Sequence, residues 1–159
     1  ISLKWNNTGH HMKGLLDAGV VKWNSREKVH KTNRKKVGCL IVKNGAIISD
    51  GYNGTPSGFD NVCEQHNFIL SSDGETVREE TVTKPEVLHA ESNAISKLAK
   101  STQSSDGATL YATCSPCLDC AKLIIQCGID RVVYSEQYRI DDGLKLLKKA
   151  NIKLEYFCE

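Results

Sequence analysis

The sequence lacks any long apolar run. None of its segments reaches the roughly 18 consecutive apolar residues of a membrane-spanning helix, because stretches such as Val37–Val42 soon give way to polar residues. The N-terminus also lacks the charged and then apolar pattern of a secretory signal peptide. Both absences argue against a membrane protein, and no membrane partner is expected.

The chain also has little net charge, +2 at pH 7. Such a balance gives no electrostatic reason to expect nucleic acid as a partner. The charge is uneven, since residues 22–36 contain seven of the 21 basic residues and the single acid Glu27. We interpret most of this basic segment as a solvated helix face, from which one or two side chains could contact a phosphate.

The cysteines do not suit a disulfide framework. There are seven, an odd number, and three of them lie within residues 114–120. Such clustering favours metal binding in a reducing compartment. A chain of 159 residues with 40% apolar content can bury one core without disulfides. The sequence therefore predicts a single intracellular domain over residues 1–159.

Strand and helix patterns alternate along the chain. A helical period predicts a first helix from about residue 11 to 29, and Asn44-Gly45 predicts a tight turn between strands at 37–42 and 46–49. The later predicted elements are a helix from Val87 through Leu98, a strand at 109–113, a helix at 116–127, a strand at 131–134, a helix at 142–150 and a strand at 153–157. This alternation indicates an α/β sheet covered by helices.

Two connecting segments have distinct characters. Residues 51–58 read GYNGTPSG, a glycine-punctuated loop whose small side chains let the backbone approach a ligand. Residues 59–86 show no clear period, so we predict a long polar connection. Loops of this length often serve as lids over functional sites.

Two fragments together form the pattern H-x-E…P-C-x-x-C. The first is HAE at residues 89–91, and the second is PCLDC at residues 116–120. Cys117 and Cys120 lie three apart at a predicted helix start, so both thiols can bind one zinc ion at roughly 2.3 Å. His89 offers the third ligand. The fourth position is then left to water, as in catalytic zinc sites.

Glu91 lies two residues beyond the histidine and can turn toward that water instead of the metal. Zinc with an open position lowers the pKa of a bound water to roughly 7. The Glu91 carboxylate is predicted to move protons from the water to a ring nitrogen and then to departing ammonia. The combined pattern is that of zinc deaminases and predicts hydrolytic deamination.

Other interpretations of these residues remain open. A purely structural zinc would need a fourth protein ligand, for which the candidates are Cys114, Cys39, Cys63 and His66. Cys63 and His66 could also hold a second metal, but we predict a loop cysteine beside a solvated histidine, and hence one zinc ion. A third possibility is a non-catalytic zinc module that binds a partner through residues 59–86.

At these motifs the chain resembles the cytidine deaminase superfamily, and within it the deoxycytidylate (dCMP) deaminases. The resemblance covers residues 34–135 and rests on VGC at 37–39, GYNGTPSG at 51–58, HAESNAI at 89–95 and SPC at 115–117 with CAKLII at 120–125. It implies a three-layer α-β-α fold with a mixed five-stranded sheet. It also implies conversion of dCMP to dUMP for thymidylate synthesis, regulation by dCTP and dTTP, a hexamer, and the cytoplasm as location, that of the host for a viral protein.

The resemblance further implies substrate contacts. Asn53 is expected to contact the sugar, and Tyr138, with Tyr134 as the alternative, to pack on the pyrimidine. The remaining candidates are Arg34, Lys36 and Arg139 for the phosphate, and Ala90 and Ser115 as further contacts. The alternative substrates are dCTP, a 5-modified dCMP, cytidine, or cytosine in a polynucleotide. The near-neutral charge disfavours the last of these.

Overall fold

The computed structural model describes residues 37–70, 74 and 77–157. The predicted helix at 11–29 and the phosphate candidates Arg34 and Lys36 lie outside the described residues. Along the described chain the elements are β1 (Gly38–Lys43), β2 (Ala46–Tyr52), β3 (Glu64–Leu70), β4 (Val77–Thr83), α1 (Ala90–Leu98), β5 (Thr109–Ala112), α2 (Leu118–Gln126), β6 (Arg131–Tyr134), α3 (Asp142–Lys149) and β7 (Lys153–Tyr156).

Five strands form one mixed sheet in the order β2-β1-β5-β6-β7. The β1 strand pairs antiparallel with β2 and β5, whereas β5, β6 and β7 pair in parallel. Asn44 and Gly45 turn the chain between β1 and β2 with φ angles of 50° and 76°, as the Asn-Gly pair predicts. The predicted α/β class with a mixed five-stranded sheet is confirmed.

Alternate residues of the central strands face opposite sides of the sheet. Ile41, Leu110 and Val132 belong to the main core, which also takes side chains from α1, α2 and α3. Their neighbours form a smaller cluster on the other face, made of Val42, Tyr111 and Val133 with Leu40 and Phe157. No helix among the described residues is long and apolar enough to cross a membrane.

Residues 59–86 contain regular structure that the sequence did not predict. The strands β3 and β4 form a separate antiparallel hairpin, from the pair Glu64 and Thr83 to the pair Leu70 and Val77. Most of its positions are exposed, including Phe68. Without a buried face, the sequence has no apolar alternation to mark the strands, and the expectation of an irregular connection is corrected here.

An ion pair joins the last two parallel strands. The guanidinium of Arg131 on β6 donates hydrogen bonds to both carboxylate oxygens of Glu155 on β7, and the distance from Nε to Oε1 is 3.0 Å. The side chains are 27% and 29% exposed. The Arg131 guanidinium, followed by the Lys153 ammonium, holds the pKa of Glu155 below its usual range. A lowered folded-state pKa means that the pair stabilises the fold above the unfolded-state pKa and loses this effect as the pH falls.

Replacing Glu155 with Gln is expected to lower the free energy of unfolding by about 0.5–1 kcal/mol at neutral pH. The difference from the unsubstituted protein should shrink as the pH falls below about 4, where the carboxyl of the unfolded chain is protonated. Urea unfolding curves at neutral and acid pH measure this difference. A difference of the same size at both pH values would show that the ion pair is not its cause.

Candidate active site

The first site segment is the start of α1. His89 is the extended residue that precedes the helix, and Glu91 lies in the first turn with only 4% of its surface exposed. The helix is held on the sheet by Cys39 Sγ, which donates to the Ala90 carbonyl at 3.2 Å. Gly51 of β2 allows this approach, because a Cβ there would lie 1.9 Å from the Ala90 oxygen.

The second site segment is the start of α2. Cys117 is the extended residue before the helix, and Cys120 follows in its first turn, where it is buried. The α3 helix packs directly against this segment at Gly143. A Cβ on Gly143 would lie 2.1 Å from the Pro116 carbonyl oxygen and 2.8 Å from the Cys117 backbone. Both site segments therefore pack so closely against a neighbouring backbone that only glycine fits at the contact.

The three predicted metal ligands meet where these segments converge. His89 Nδ1 lies 3.4 Å from Cys117 Sγ and 3.5 Å from Cys120 Sγ. All three donor atoms lie within 4.8 Å of one another, and no further ligand joins the group among the described residues. One imidazole nitrogen and two thiols at these distances suit zinc in a tetrahedral site with one open position.

The alternative fourth ligands are engaged or placed elsewhere. Cys39 donates to Ala90, as described above. His66 Nδ1 lies 2.8 Å from Glu79 Oε1, and both side chains are 57% exposed. Cys63 and Cys114 are buried, and neither belongs to the ligand group. The arrangement favours an open zinc position over a structural site with four protein ligands.

The two thiols differ in their affinity for a proton. Hydrogen bonds with Cys120 and His89 lower the pKa of Cys117 to about 4. The same contact with Cys117, followed by burial, raises the pKa of Cys120. Cys120 Sγ lies 3.6 Å from Glu91 Oε2, and burial raises the pKa of that carboxyl. A carboxyl group with a raised pKa is suited to carrying protons near neutral pH.

A cavity of about 330 Å³ opens beside this group. Its lining includes seven of the predicted site residues, which are His89, Glu91, Cys117, Asn53, Ser115, Tyr138 and Arg139. Ala90 does not line the cavity, because it is fully buried against β1 and β2. Its predicted role as a substrate contact therefore finds no support in the cavity lining.

Ser115 holds the loop after β6 against the cavity. Its Oγ accepts a hydrogen bond from the Tyr138 amide at 2.7 Å, and its own amide donates to the Glu136 carbonyl at 2.8 Å. Tyr138 thus reaches the cavity, whereas the alternative Tyr134 packs its ring on Tyr156 with centroids 5.5 Å apart. Ser115 is placed to act as a positioning residue for Tyr138 in addition to its predicted contact.

Asn53 lines the cavity, and its side chain has an acceptor without a partner among the described residues. The backbone amide of Asn53 donates to the Val37 carbonyl at 3.3 Å. The carbonyl of the preceding residue, Tyr52, accepts a hydrogen bond from Asn93 Nδ2 at 2.9 Å. The Asn53 side-chain Oδ1 is buried and has no hydrogen-bond partner among the described residues. A buried acceptor without a partner is costly, so this atom is suited to a donor group on a ligand.

Sequence reasoning missed several lining residues, of which Glu64 and Thr83 are the polar ones. They form the paired base of the β3–β4 hairpin, and Glu64 is only 8% exposed. A single acidic residue in a segment without a clear period does not by itself indicate a site. Glu64 could have been predicted in the cavity lining only if the β3–β4 hairpin had been recognised.

Residues 20–136 match the family described as "Cytidine and deoxycytidylate deaminase zinc-binding region". The chain therefore belongs to this family of zinc-dependent deaminases. The His89, Cys117 and Cys120 group is the part of the described chain that fits the family's metal.

Individual relatives are deoxycytidylate deaminases. The chain is 39% identical over 132 residues to the deoxycytidylate deaminase of Enterobacteria phage T4, a match that covers 65% of this chain and 68% of that protein. The enzyme of Saccharomyces cerevisiae is 38% identical over 125 residues, which cover 78% of this chain but 38% of the yeast protein.

A solved structure is also similar. The dCMP deaminase of cyanophage S-TIM5, in complex with dCMP and dUMP, matches with a TM-score of 0.76 and 38% sequence identity. The match covers 96% of this chain and 100% of that one. The resemblance to dCMP deaminases that the sequence motifs indicated is confirmed.

Proposed function

We propose that this protein hydrolyses dCMP to dUMP and ammonia, with one zinc ion held by His89, Cys117 and Cys120. The proposal rests on a cavity whose lining includes His89 and Cys117 of the ligand group, the buried Glu91 and Asn53. The similarity to proteins named deoxycytidylate deaminase supports the choice of dCMP.

The metal and the acid have separate tasks. A zinc ion with an open position, when bound, lowers the pKa of a water ligand and so provides a nucleophile near neutral pH. Glu91 accepts a proton from the attacking water and delivers it to the pyrimidine ring nitrogen. It then moves the second proton to the exocyclic amine, which leaves as ammonia, so that one water is consumed for each dUMP formed.

Other cavity residues orient the substrate. The Tyr138 ring can pack on the pyrimidine face, and Asn53 Oδ1 can accept from the sugar. Arg139 lies exposed at the cavity, with its guanidinium carbon 5.9 Å from the centroid of the Tyr138 ring. Among the described lining residues it alone carries a permanent positive charge, so it is the phosphate contact that we favour. Arg34 and Lys36 remain proposed as further phosphate contacts.

The wider properties are proposed by analogy with the dCMP deaminases that the sequence motifs resemble. We propose a single domain over residues 1–159 that assembles as a hexamer and responds to dCTP and dTTP. Its product would supply dUMP for thymidylate synthesis in the cytoplasm, that of the host if the protein is viral.

A substrate panel tests the proposed activity. Ammonia release by zinc-loaded protein would be measured with dCMP, deoxycytidine, dCTP, a 5-modified dCMP and single-stranded DNA, each with and without dTTP and dCTP. We expect dCMP to give the highest kcat/KM, and dTTP to suppress its turnover. A preference for another member of the panel would keep the zinc chemistry and reject dCMP as the substrate.

A further inference from the structure

The dipeptide Asn-Gly occurs twice in the chain, at residues 44–45 and 53–54. Because glycine has no Cβ, its backbone nitrogen can closely approach the side-chain amide of the asparagine before it. The two dipeptides lie in different surroundings. The first forms the turn between β1 and β2, whereas the second begins with the cavity residue Asn53.

The turn between β1 and β2 is exposed and weakly held. Asn44 and Gly45 are exposed, as are the two residues that follow them. The register of the two strands is irregular between Ile41 and Val42, so only two residue pairs lie between that point and the turn. No backbone carbonyl of the described residues accepts a hydrogen bond from the Gly45 amide. A short hairpin end of this kind opens locally without global unfolding.

The dipeptide at residues 53–54 is held on both sides. The Gly54 amide donates to the Leu88 carbonyl at 3.2 Å, and the Leu88 amide donates to the Gly54 carbonyl at 2.8 Å. The Asn53 amide also donates to Val37. The Gly54 nitrogen must leave its hydrogen bond before it can attack the Asn53 side chain. Loss of one such bond corresponds to about a 10-fold effect on a rate.

We propose that Asn44 is a site of spontaneous deamidation and that Asn53 is protected from the same reaction. The Gly45 nitrogen loses its proton and attacks Asn44 Cγ, so that an N–Cγ bond forms. The Cγ–Nδ2 bond then breaks, and the side-chain nitrogen leaves as ammonia. One water molecule opens the resulting succinimide ring at either carbonyl, which gives aspartate or isoaspartate. The reaction needs no other reagent and does not depend on the proposed turnover of dCMP.

The two products differ in their effect on the hairpin. Aspartate keeps the turn, since Asp-Gly suits the same positive φ angles as Asn-Gly. Isoaspartate adds a methylene to the backbone, so the turn no longer matches the paired strands. The turn lies at the opposite end of β2 from Gly51 and Tyr52, which contact α1. Isoaspartate at position 44 should therefore lower the stability without displacing the site residues.

The test follows both dipeptides in one sample of the zinc-loaded protein at mildly alkaline pH and physiological temperature. Peptide mass spectrometry measures the conversion of each asparagine over time. In the folded protein Asn44 should convert at least about 10-fold faster than Asn53. In urea-unfolded protein the two rates should become similar, because the hydrogen bonds of Gly54 are gone. Asn44→Gln removes the reactive asparagine at the turn and should abolish the fast conversion.

A second measurement tests the consequence for the fold. Protein aged until Asn44 has converted should contain an isoaspartate fraction that unfolds at lower urea than fresh protein, whereas Asn44→Asp should unfold as fresh protein does. Equal conversion of the two asparagines in the folded state would overturn the proposal. Conversion of Asn44 only after unfolding would also overturn it.

Discussion

Glu91→Gln is expected to lower kcat for dCMP by about 10³- to 10⁴-fold, near the upper end of what a general acid–base contributes. Glutamine has nearly the same volume, so the buried position beside Cys120 should stay filled. Its amide cannot take a proton from water or return one to the leaving amine. Turnover and zinc content, the latter by elemental mass spectrometry, would be measured on the same preparation.

The zinc content separates catalysis from metal binding. Because Glu91 is not a ligand in this account, the variant should retain zinc at the level of the unsubstituted protein. Glu80→Gln serves as the control, since its exposed carboxylate lies on the hairpin outside the cavity lining. A Glu91→Gln protein that kept more than about a tenth of the activity would contradict the proton-carrying role.

Gly143→Ala is expected to destabilise the fold by about 1–3 kcal/mol, the usual range for overpacking. At an unobstructed helix position the same change would stabilise by roughly 0.5–1 kcal/mol, so the sign of the effect is diagnostic. Here the new Cβ would lie 2.1 Å from the Pro116 carbonyl, a backbone atom that cannot rotate away. Relief requires a shift of α3 or of the segment that carries Cys117.

That shift should also weaken zinc binding, by about 10- to 100-fold, as expected when the support of a metal ligand is disturbed. Urea unfolding measures the stability, and competition with a chelator measures the zinc affinity. Lys148→Ala changes an exposed side chain on the same helix and is the control for helix substitution. Increased stability of Gly143→Ala would show that the close packing against Pro116 is absent.

The sequence could predict the central sheet because its signals are local. Asn44-Gly45 specifies the turn between β1 and β2, and the short β-branched run at Arg131–Tyr134 coincides with β6. The metal group was also predictable, because thiols three apart at a helix start must share one face. Only the histidine needed a fold to bring it within 3.5 Å of them.

What the sequence could not predict depends on long-range packing. The β3–β4 hairpin lacks a buried face, so it has no period to recognise. Gly51 and Gly143 are required by backbone atoms of Ala90 and Pro116 that are distant in the sequence. The position of Glu64 in the cavity lining depends on the pairing of β3 with β4, so the sequence alone does not indicate it.

The most direct test of the zinc-dependent deamination is chromatographic detection of dUMP formed from dCMP in three samples of one preparation. These are the zinc-loaded protein, the protein stripped by a chelator, and the stripped protein after zinc is added back. We expect dUMP in the first sample, loss of its formation in the second, and recovery in the third. Absence of dUMP with zinc bound, or equal formation without zinc, would contradict zinc-dependent deamination of dCMP.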